Sequence, residues 1–504
     1  MLRPWKFSLR ETIDPRRGVP IYLQIVHALI HDIRRGRLTP GAALPSTREL
    51  AEALGVNRKT VVLAYDDLIA QGWLSAHGTR GTFVSRQLPE TLPATAPADR
   101  ADDPLNPTEA DFPFRATPDP TLVFPGENEL TIDDGLPDPR LFPAETLARA
   151  YRSAAQRAER SGGLSYGDPR GSGDLRRSIA EMLGAHRGLV VGSDNLCITR
   201  GSQMGIFLAG RILLSPSDAV LVEGLGYSAA RDAFAATGAE VIGARLDAEG
   251  LDVEDVERLC RHKRVRAVYV TPHHQFPTTV SLTPERRLRL LDLAARFRFA
   301  IIEDDYDHEF HFEGQPLLPM ASYAHNRTIY VGSMSKLLLP GLRIGYVAAP
   351  EAVVRSMANL AASIDRQGNA LTELAVAELI TSGELRRHVR KARQVYLRRR
   401  DAFGKLLRRE FADAIDFEVP HGGLAYWATF RDASRLDAIE KGAAERRIRL
   451  LPSLSFAASP HHGRGLRLGF ASLDDAEAEQ AITRIGGIGA PARCAATESD
   501  ARRG

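Results

Sequence analysis

Lys336 stands in Tyr330-Val-Gly-Ser-Met-Ser-Lys-Leu-Leu-Leu-Pro-Gly-Leu-Arg-Ile-Gly-Tyr346, just after the hydroxyls of Ser333 and Ser335 and a short way before Arg343. The apolar run 328–331 reads as a buried strand that breaks at Gly332 into a small-residue turn, which presents these groups. A lone lysine is ordinarily a solvated surface residue. Among apolar neighbours, however, a desolvated amine with a lowered pKa is expected. Such an amine condenses with an aldehyde cofactor to a Schiff base.

Other reactive groups stand at the ends of other apolar runs. Glu303-Asp304-Asp305-Tyr306-Asp307 places four carboxylates after the run 299–302. So dense a cluster can hold a hard metal ion, or it can supply one acid to a protonated ring nitrogen and make that ring an electron sink. The second account fits better, since the waters-and-phosphate context of a magnesium site is missing. Gly201-Ser202-Gln203 follows a strand and opens a helix, so its backbone donors and hydroxyl suit a phosphate. A plain N-cap fits those residues equally well. Tyr227, in Glu-Gly-Leu-Gly-Tyr, follows another strand and reads locally as core. His273 and His274 are adjacent, but sequence neighbours rarely share one ion and no third ligand is spaced for it, so no metal is expected.

Ser-Met-Ser-Lys-Leu-Leu-Leu-Pro-Gly-Leu-Arg-Ile-Gly-Tyr resembles the lysine segment of fold-type I aminotransferases. The resemblance implies that Lys336 is the catalytic-type lysine that binds pyridoxal 5'-phosphate (PLP), with Ser333 and Arg343 on its phosphate. It makes the stretch with Ser202 and Gln203 the phosphate loop. It assigns Asp304 to the ring nitrogen, with Asp305 as second choice, Tyr306 to the ring hydroxyl and Tyr227 to the ring face. His273-His-Gln-Phe-Pro-Thr-Thr279 is similar to the His-Gln-x-Pro-Thr-Gly stretch that borders the ring, with Thr279 in place of glycine, so a different turn is expected there. Arg467, in Gly-Leu-Arg-Leu-Gly-Phe470, resembles the arginine that grips an amino-acid carboxylate as a bidentate fork. Tyr166, in Leu-Ser-Tyr-Gly-Asp-Pro-Arg-Gly, resembles the tyrosine that reaches the phosphate of a second subunit, which implies a site completed across a dimer interface.

These groups need a frame. Apolar runs at 195–199, 219–223, 267–271, 299–303 and 328–331 alternate with helical stretches such as 284–297, the pattern of a mostly parallel α/β sheet covered on both faces. Ligands of such sheets bind beyond the carboxyl ends of the strands, where the candidates lie.

The N-terminal part follows another pattern. Apolar residues from Pro20 to Arg35 have helical period, Ser46-Thr-Arg-Glu49 is a capping box that opens a helix stopped by Gly55, and Asn57 can cap a third helix closed by Gly72. Two short helices joined by a glycine turn make a helix-turn-helix. The second exposes Arg58, Lys59 and Thr60 where a recognition helix meets bases and phosphates, and Arg48 is placed for a phosphate. Residues 73–75 and 82–84 read as strands around His77-Gly-Thr-Arg-Gly81. From Gly18 to Val84 the segment is similar to the winged-helix (α+β) domain of GntR-type regulators, which implies that Arg48, Arg58, Thr60 and the wing around Gly78 meet double-stranded DNA. Where the usual wing reads Gly-Ser-Gly-Thr, Arg80 is a departure that either adds a groove or phosphate contact or points to solvent.

A chain of 504 residues, 44% hydrophobic, is long enough for two or more domains. Residues 1–86 hold 13 Lys/Arg against 7 Asp/Glu, an excess compatible with nucleic acid. Cys197, Cys260 and Cys494 form no disulfide framework, and no signal or membrane-length apolar run is found, so a cytoplasmic setting is expected. The expected organisation is a winged-helix domain at 1–86, a proline-stiffened linker at 87–124, an aminotransferase-like domain at 125–490 and a disordered tail at 491–504. The basic run from Arg386 to Arg400 reads as a solvated helix face. This order resembles MocR-type (GabR-like) regulators over nearly the whole chain. The resemblance implies a PLP-dependent transcription regulator that senses an amino-acid-like effector, or PLP itself, as a head-to-tail homodimer on an operator with repeated half-sites. The rival from another class is a working aminotransferase with an accessory DNA-binding head.

Overall fold

The computed structural model describes residues 13–16, 18–89, 112–114, 129–161, 163–459 and 464–489. Most of the expected linker at 87–124 and all of the expected tail at 491–504 lie outside the described residues. The chain divides into two compact units, Met1–Pro118 and Asp119–Gly504.

In the first unit the capping chemistry sets the helix limits. Helix α1 runs Ile21–Arg34, α2 Thr47–Leu54 and α3 Arg58–Ala70. Ser46 Oγ accepts from Glu49 N at 3.3 Å while Glu49 Oε2 accepts from Ser46 N at 2.9 Å, so both halves of the capping box are made. Gly55 stops α2 in the left-handed region at φ 69°, where a Cβ would be strained. Asn57 Oδ1 accepts from Lys59 N and starts α3. The strands β1 (Leu74–Ala76) and β2 (Thr82–Val84) pair antiparallel, with His77–Gly81 as the wing turn. Ile25, Leu29, Ile33, Leu50, Val61, Leu68 and Val84 are fully buried and close a core within this unit.

The second unit is built on a seven-stranded sheet. Its strands are β3 (Leu196–Thr199), β4 (Ala219–Glu223), β5 (Glu240–Ala244), β6 (Val265–Val270), β7 (Ala300–Asp305), β8 (Thr328–Ser333) and β9 (Gly345–Ala348). Their order across the sheet is β3-β9-β8-β7-β6-β4-β5. Only β9 runs against its neighbours, pairing antiparallel with both β8 and β3, so the expected mostly parallel sheet is present with one reversed strand. β3, β4, β8 and β9 are buried along their whole lengths, as strands covered on both faces must be. A further sheet, β10 (Ile415–Asp416), β11 (Ala425–Phe430) and β12 (Gly465–Gly469), lies beyond the long basic helix Glu384–Phe411 in the chain. That helix buries Leu385, His388, Ala392, Tyr396, Arg400 and Phe403, so its basic run is one side of an amphipathic element. Among the described residues no helix is long and apolar enough to cross a membrane.

Because the small unit closes its own core, Leu68→Ala is expected to cost that unit about 2–5 kcal/mol. In urea unfolding its transition should move to lower denaturant while that of the large unit stays in place. Equal shifts of both transitions would contradict separate cores.

Candidate functional site

Strand alternation sorts the acidic cluster. Asp304 and Asp305 are successive residues at the end of β7 and face opposite ways. Asp304 is 4% exposed; its Oδ2 accepts from the Tyr269 hydroxyl at 2.7 Å and its Oδ1 has no hydrogen-bond partner. Burial pushes its carboxyl up to about 7, with Tyr269 and Lys336 pulling it down and Asp305 and Asp307 adding to the rise. Asp305, on the other face, accepts from the Tyr330 hydroxyl at 2.6 Å and has His308 and Arg187 beside it. Burial opposes its charge, yet His308 and Arg187 hold it well below the usual carboxylate range. Each acid keeps one oxygen without a partner, and Asp304 is the one that feels the Lys336 charge.

Lys336 follows β8, and its Nζ donates to the Gly135 carbonyl at 2.7 Å. Gly135 belongs to a loop that the sequence reading passed over. Asp133 Oδ1 accepts from Gly135 N and Leu136 N, both at 2.7 Å, which folds the loop into a tight turn with Gly135 at φ 101°. The next carbonyl, of Asp134, takes Arg467 Nε at 2.7 Å. One turn thus touches both the lysine and the arginine. Its signal in the sequence is the Asp133-Asp134-Gly135 turn triplet, which by itself says nothing of what the turn covers.

Arg467 is buried on β12. Beyond Asp134 it donates Nη1 to the Pro277 carbonyl at 2.7 Å, reaches the Tyr306 hydroxyl at 3.4 Å and lies over the Phe276 ring at 4.5 Å. Tyr306 donates its hydroxyl to the His274 carbonyl at 2.9 Å. Tyr227 packs edge-on against Phe276 with centroids 5.6 Å apart, and burial lifts its phenol to about 12. Around one recess, Lys336 and Arg467 are thus joined through the 133–136 turn, Arg467 touches Tyr306 and Phe276, Phe276 touches Tyr227, and Asp304 lies close enough for the Lys336 charge to lower its pKa.

The other wall is the start of helix α4 (Gly201–Leu213). A Cβ on Gly345 of β9 would stand 2.4 Å from the Gly201 carbonyl carbon and 2.5 Å from Ser202 N, so only glycine permits this approach. A Cβ on Gly201 would meet Arg343 Nη2 at 2.9 Å. The Arg343 guanidinium lies there, donating to the Arg200 carbonyl at 3.0 Å, with its backbone in the left-handed region at φ 54°. Ser202 is half-buried beside it, and Gln203 donates Nε2 to the Ala229 carbonyl at 2.6 Å while its Oε1 stays buried and unpaired. Ser333 Oγ accepts from Ser335 N at 3.1 Å.

Tyr166 is not brought into this recess. It is 78% exposed, with the Arg366 guanidinium 5.2 Å over its ring. Two expectations need correcting. Thr279 keeps the turn that glycine would give: it adopts φ 66° with its N donating to the Gln275 carbonyl, at the steric cost of a β-branched residue in that region. The reason for excluding a metal at His273 and His274 also fails, because Asp305 at the end of β7 and His308 and His311 in the segment after it arrive beside them. Burial and the neighbouring His274 keep His273 well below its ordinary pKa.

In the head, Arg48, Arg58 and Lys59 are exposed, Thr60 is half-buried and Gly78 and Arg80 are exposed on the wing. Arg58 Nε donates to Thr47 Oγ1 at 3.3 Å, which ties the recognition-helix start to the preceding helix.

Residues 138–485 match the family model for aminotransferase class I and II, and residues 21–84 match that for bacterial regulatory proteins of the gntR family. The chain is 29% identical over 475 residues, 94% of each chain, to the probable rhizopine catabolism regulatory protein MocR of Rhizobium meliloti. It is 32% identical over 388 residues to the pyridoxine biosynthesis transcriptional regulator PdxR of Corynebacterium glutamicum, covering 77% of this chain and 79% of that one. Among solved structures, the kynurenine aminotransferase of Pyrococcus horikoshii, in complex with PMP and with substrates and products, superimposes with a TM-score of 0.67 at 30% identity. That match covers 71% of this chain and 90% of that one.

Burial raises Glu223 and Glu303 to about 7 as well as Asp304. A raised folded-state pKa gives stability that is complete below the unfolded value, about 4, and is lost as pH climbs through about 7. The ligand-free protein should therefore melt at falling temperature between about pH 5 and pH 8. Asp304→Asn should make that slope shallower in thermal melts at stepped pH, and an unchanged slope would mean that Asp304 holds no proton there.

Proposed function

This chain belongs to the MocR-type regulators, with a gntR-family head and an aminotransferase class I and II domain that binds PLP, and on that premise we propose that Lys336 is the residue that takes up the cofactor. The recess fits that group: Asp304 offers a buried, unpaired carboxylate oxygen for a ring nitrogen, and the α4 N-terminus offers backbone donors for a phosphate. When bound, PLP supplies an aldehyde that condenses reversibly with primary amines and a ring that withdraws electrons. The chain's own residues hold and orient it. Arg343, Ser202, Gln203 and Ser333 would take the phosphate, Tyr227 the ring face and Tyr306 the ring hydroxyl. Asp304 would hold or release the proton at the ring nitrogen. Tyr166, exposed on its own chain, would serve the recess of a second copy in a head-to-tail homodimer.

The effector in this reading is amino-acid-like. Its amine would compete for the aldehyde with Lys336, and its carboxylate would draw Arg467 away from the Asp134 and Pro277 carbonyls. Because the same loop also accepts from Lys336, effector arrival changes both contacts of that loop together. A ligand shifts an equilibrium only by its differential affinity for the two states, and this loop offers such a difference. The heads would then meet DNA through Arg58, Lys59 and Thr60 at the start of α3, with Arg48 and the wing at Gly78 and Arg80 on the backbone. Two heads imply two half-sites. The setting is the cytoplasm, where the chromosome lies. The observation that carries the reading is the match over 94% of both chains to a probable regulatory protein, along 475 residues where the aminotransferase model matches only 138–485 of this chain.

The discriminating experiment follows the visible spectrum of the loaded protein with a panel of amino acids, alongside gel shifts on its own upstream DNA. A spectral change and an altered gel shift without keto-acid release are expected. Steady turnover at about 10 per second, an ordinary enzymatic rate, would instead make the chain an aminotransferase. Lys336→Ala should leave a folded protein without the visible absorbance of bound PLP; an unchanged spectrum would end the assignment. Arg58→Ala should weaken operator binding by about 1–3 kcal/mol if it reads a base, or lower the salt slope if it meets phosphate. Unaltered gel shifts would remove Arg58 from the interface.

A further inference from the structure

Four histidines converge behind the wall that carries Asp304 and Tyr306. His273 and His274 follow β6, and His308 and His311 follow β7. The His273 ring centroid lies 4.6 Å from those of His274 and His308 and 5.7 Å from that of His311, and His274 and His311 stack with centroids 5.8 Å apart. One ring nitrogen each of His273, His274 and His311 lies within 4.8 Å of the others; His273, His308 and a carboxylate oxygen of Asp305 form a second such set. His273 and His274 are 5% and 1% exposed.

The hydrogen bonding of the first set is incomplete. His273 Nε2, His274 Nε2 and His311 Nδ1 are all buried without a partner. A buried polar atom left unpaired costs about 1–3 kcal/mol, and three of them gathered in one place are hard to explain as ordinary core packing. His274 is oriented from outside: its Nδ1 lies 2.7 Å from Asp307 Oδ1, and Asp307 is itself 1% exposed. A carboxylate on one imidazole nitrogen fixes the ring and turns the other nitrogen to its ligand, as metal sites require. Gly422 keeps that nitrogen clear, since a Cβ there would stand 2.3 Å from His274 Nε2. His308 and His311 also line a cavity of about 680 Å³ whose far wall includes His186, Arg386 and Arg390, which gives solvent a route to the cluster.

We propose that His273, His274 and His311 form a site for a borderline divalent transition-metal ion, with Asp307 as the positioning residue for His274. Three imidazoles suit Zn2+ or its neighbours in the series, while Mg2+ and Ca2+ demand oxygen donors. Nitrogens at about 2.0–2.1 Å from one ion stand less than 4.8 Å apart, the span within which these three already lie. The second set is disfavoured by charge. The Arg187 guanidinium lies 3.6 Å from the Asp305 carboxylate, a buried cation that repels another, and the Tyr330 hydroxyl already occupies Oδ2, leaving only Oδ1 without a partner. An ion held by His273, His274 and His311 would join the segment bearing Phe276 and Pro277 to the segment bearing Asp304 and Tyr306, two walls of the recess.

The test uses the full-length chain without an affinity tag, stripped with a chelator and dialysed against Zn2+ in excess Mg2+, with retained metal measured per chain and folding followed by circular dichroism. About one Zn2+ per chain is expected on general grounds of a single three-histidine site. His273→Gln and His311→Gln should each lose it while staying folded, and Asp307→Asn should weaken it about 10- to 100-fold. His186→Gln, on the far wall, should retain it. No retained Zn2+ in the parent chain, or undiminished retention in both His273→Gln and His311→Gln, overturns the proposal. Loss on His308→Gln with retention on His311→Gln overturns it too, since the ion would then sit in the other set.

Discussion

The large unit is organised around a carboxylate placed where a carboxylate is costly. Asp304 is buried at the end of β7 with one oxygen held by Tyr269 and the other without a partner. Burying a charged group without a full set of partners costs several kcal/mol, and the protein meets that cost partly by letting the group keep its proton near neutral pH. The cost persists only because the surrounding strands cannot yield: β6, β7 and β8 are in continuous parallel register, and Tyr269 is itself buried. What such an acid lacks is a cationic partner, which is what a protonated ring nitrogen supplies.

From this point the rest of the recess is a matter of alternation and approach. The pleat of β7 sends Asp304 to the recess and Asp305 to the opposite face, where Arg187, His308 and Tyr330 enclose it. One acid can titrate and the other is pinned as an anion. β8 ends in the turn that carries Lys336, and the reversed β9, which lies between β8 and β3, brings Gly345 against the start of α4, so that the lysine turn and the loop at 200–203 stand on either side of one strand. The loop at 133–136 then links Lys336 and Arg467 through two successive carbonyls.

Much of this was legible in the sequence, for a physical reason. Signals that live within a few residues survived intact: the Ser46–Glu49 capping box, the Asn57 cap, the strand 219–223 and the helix 284–297 stand where the pattern places them. Other strand ends moved by one or two residues: β6 begins two residues earlier and ends one earlier than its apolar run, and β8 ends two later, because pairing with neighbours and not apolarity sets where a strand stops. What the pattern could not show depends on contacts between distant segments. β9 hides inside the lysine motif and its reversed direction is set by pairing partners. The Gly135 carbonyl acquires meaning only when the turn lands on Lys336. The histidines of two separate segments read as unrelated until β6 and β7 lie side by side.

The contact of Gly345 with Gly201 and Ser202 has a consequence for how this chain can vary. Two backbones meet there with no room for even a methyl group on Gly345, so that position cannot change unless the start of α4 retreats. Saturation libraries of the gene would recover almost nothing at this junction while tolerating broad diversity on the solvent side of the long basic helix. Drift toward new ligands therefore has to proceed through the walls of the recess and not through its floor.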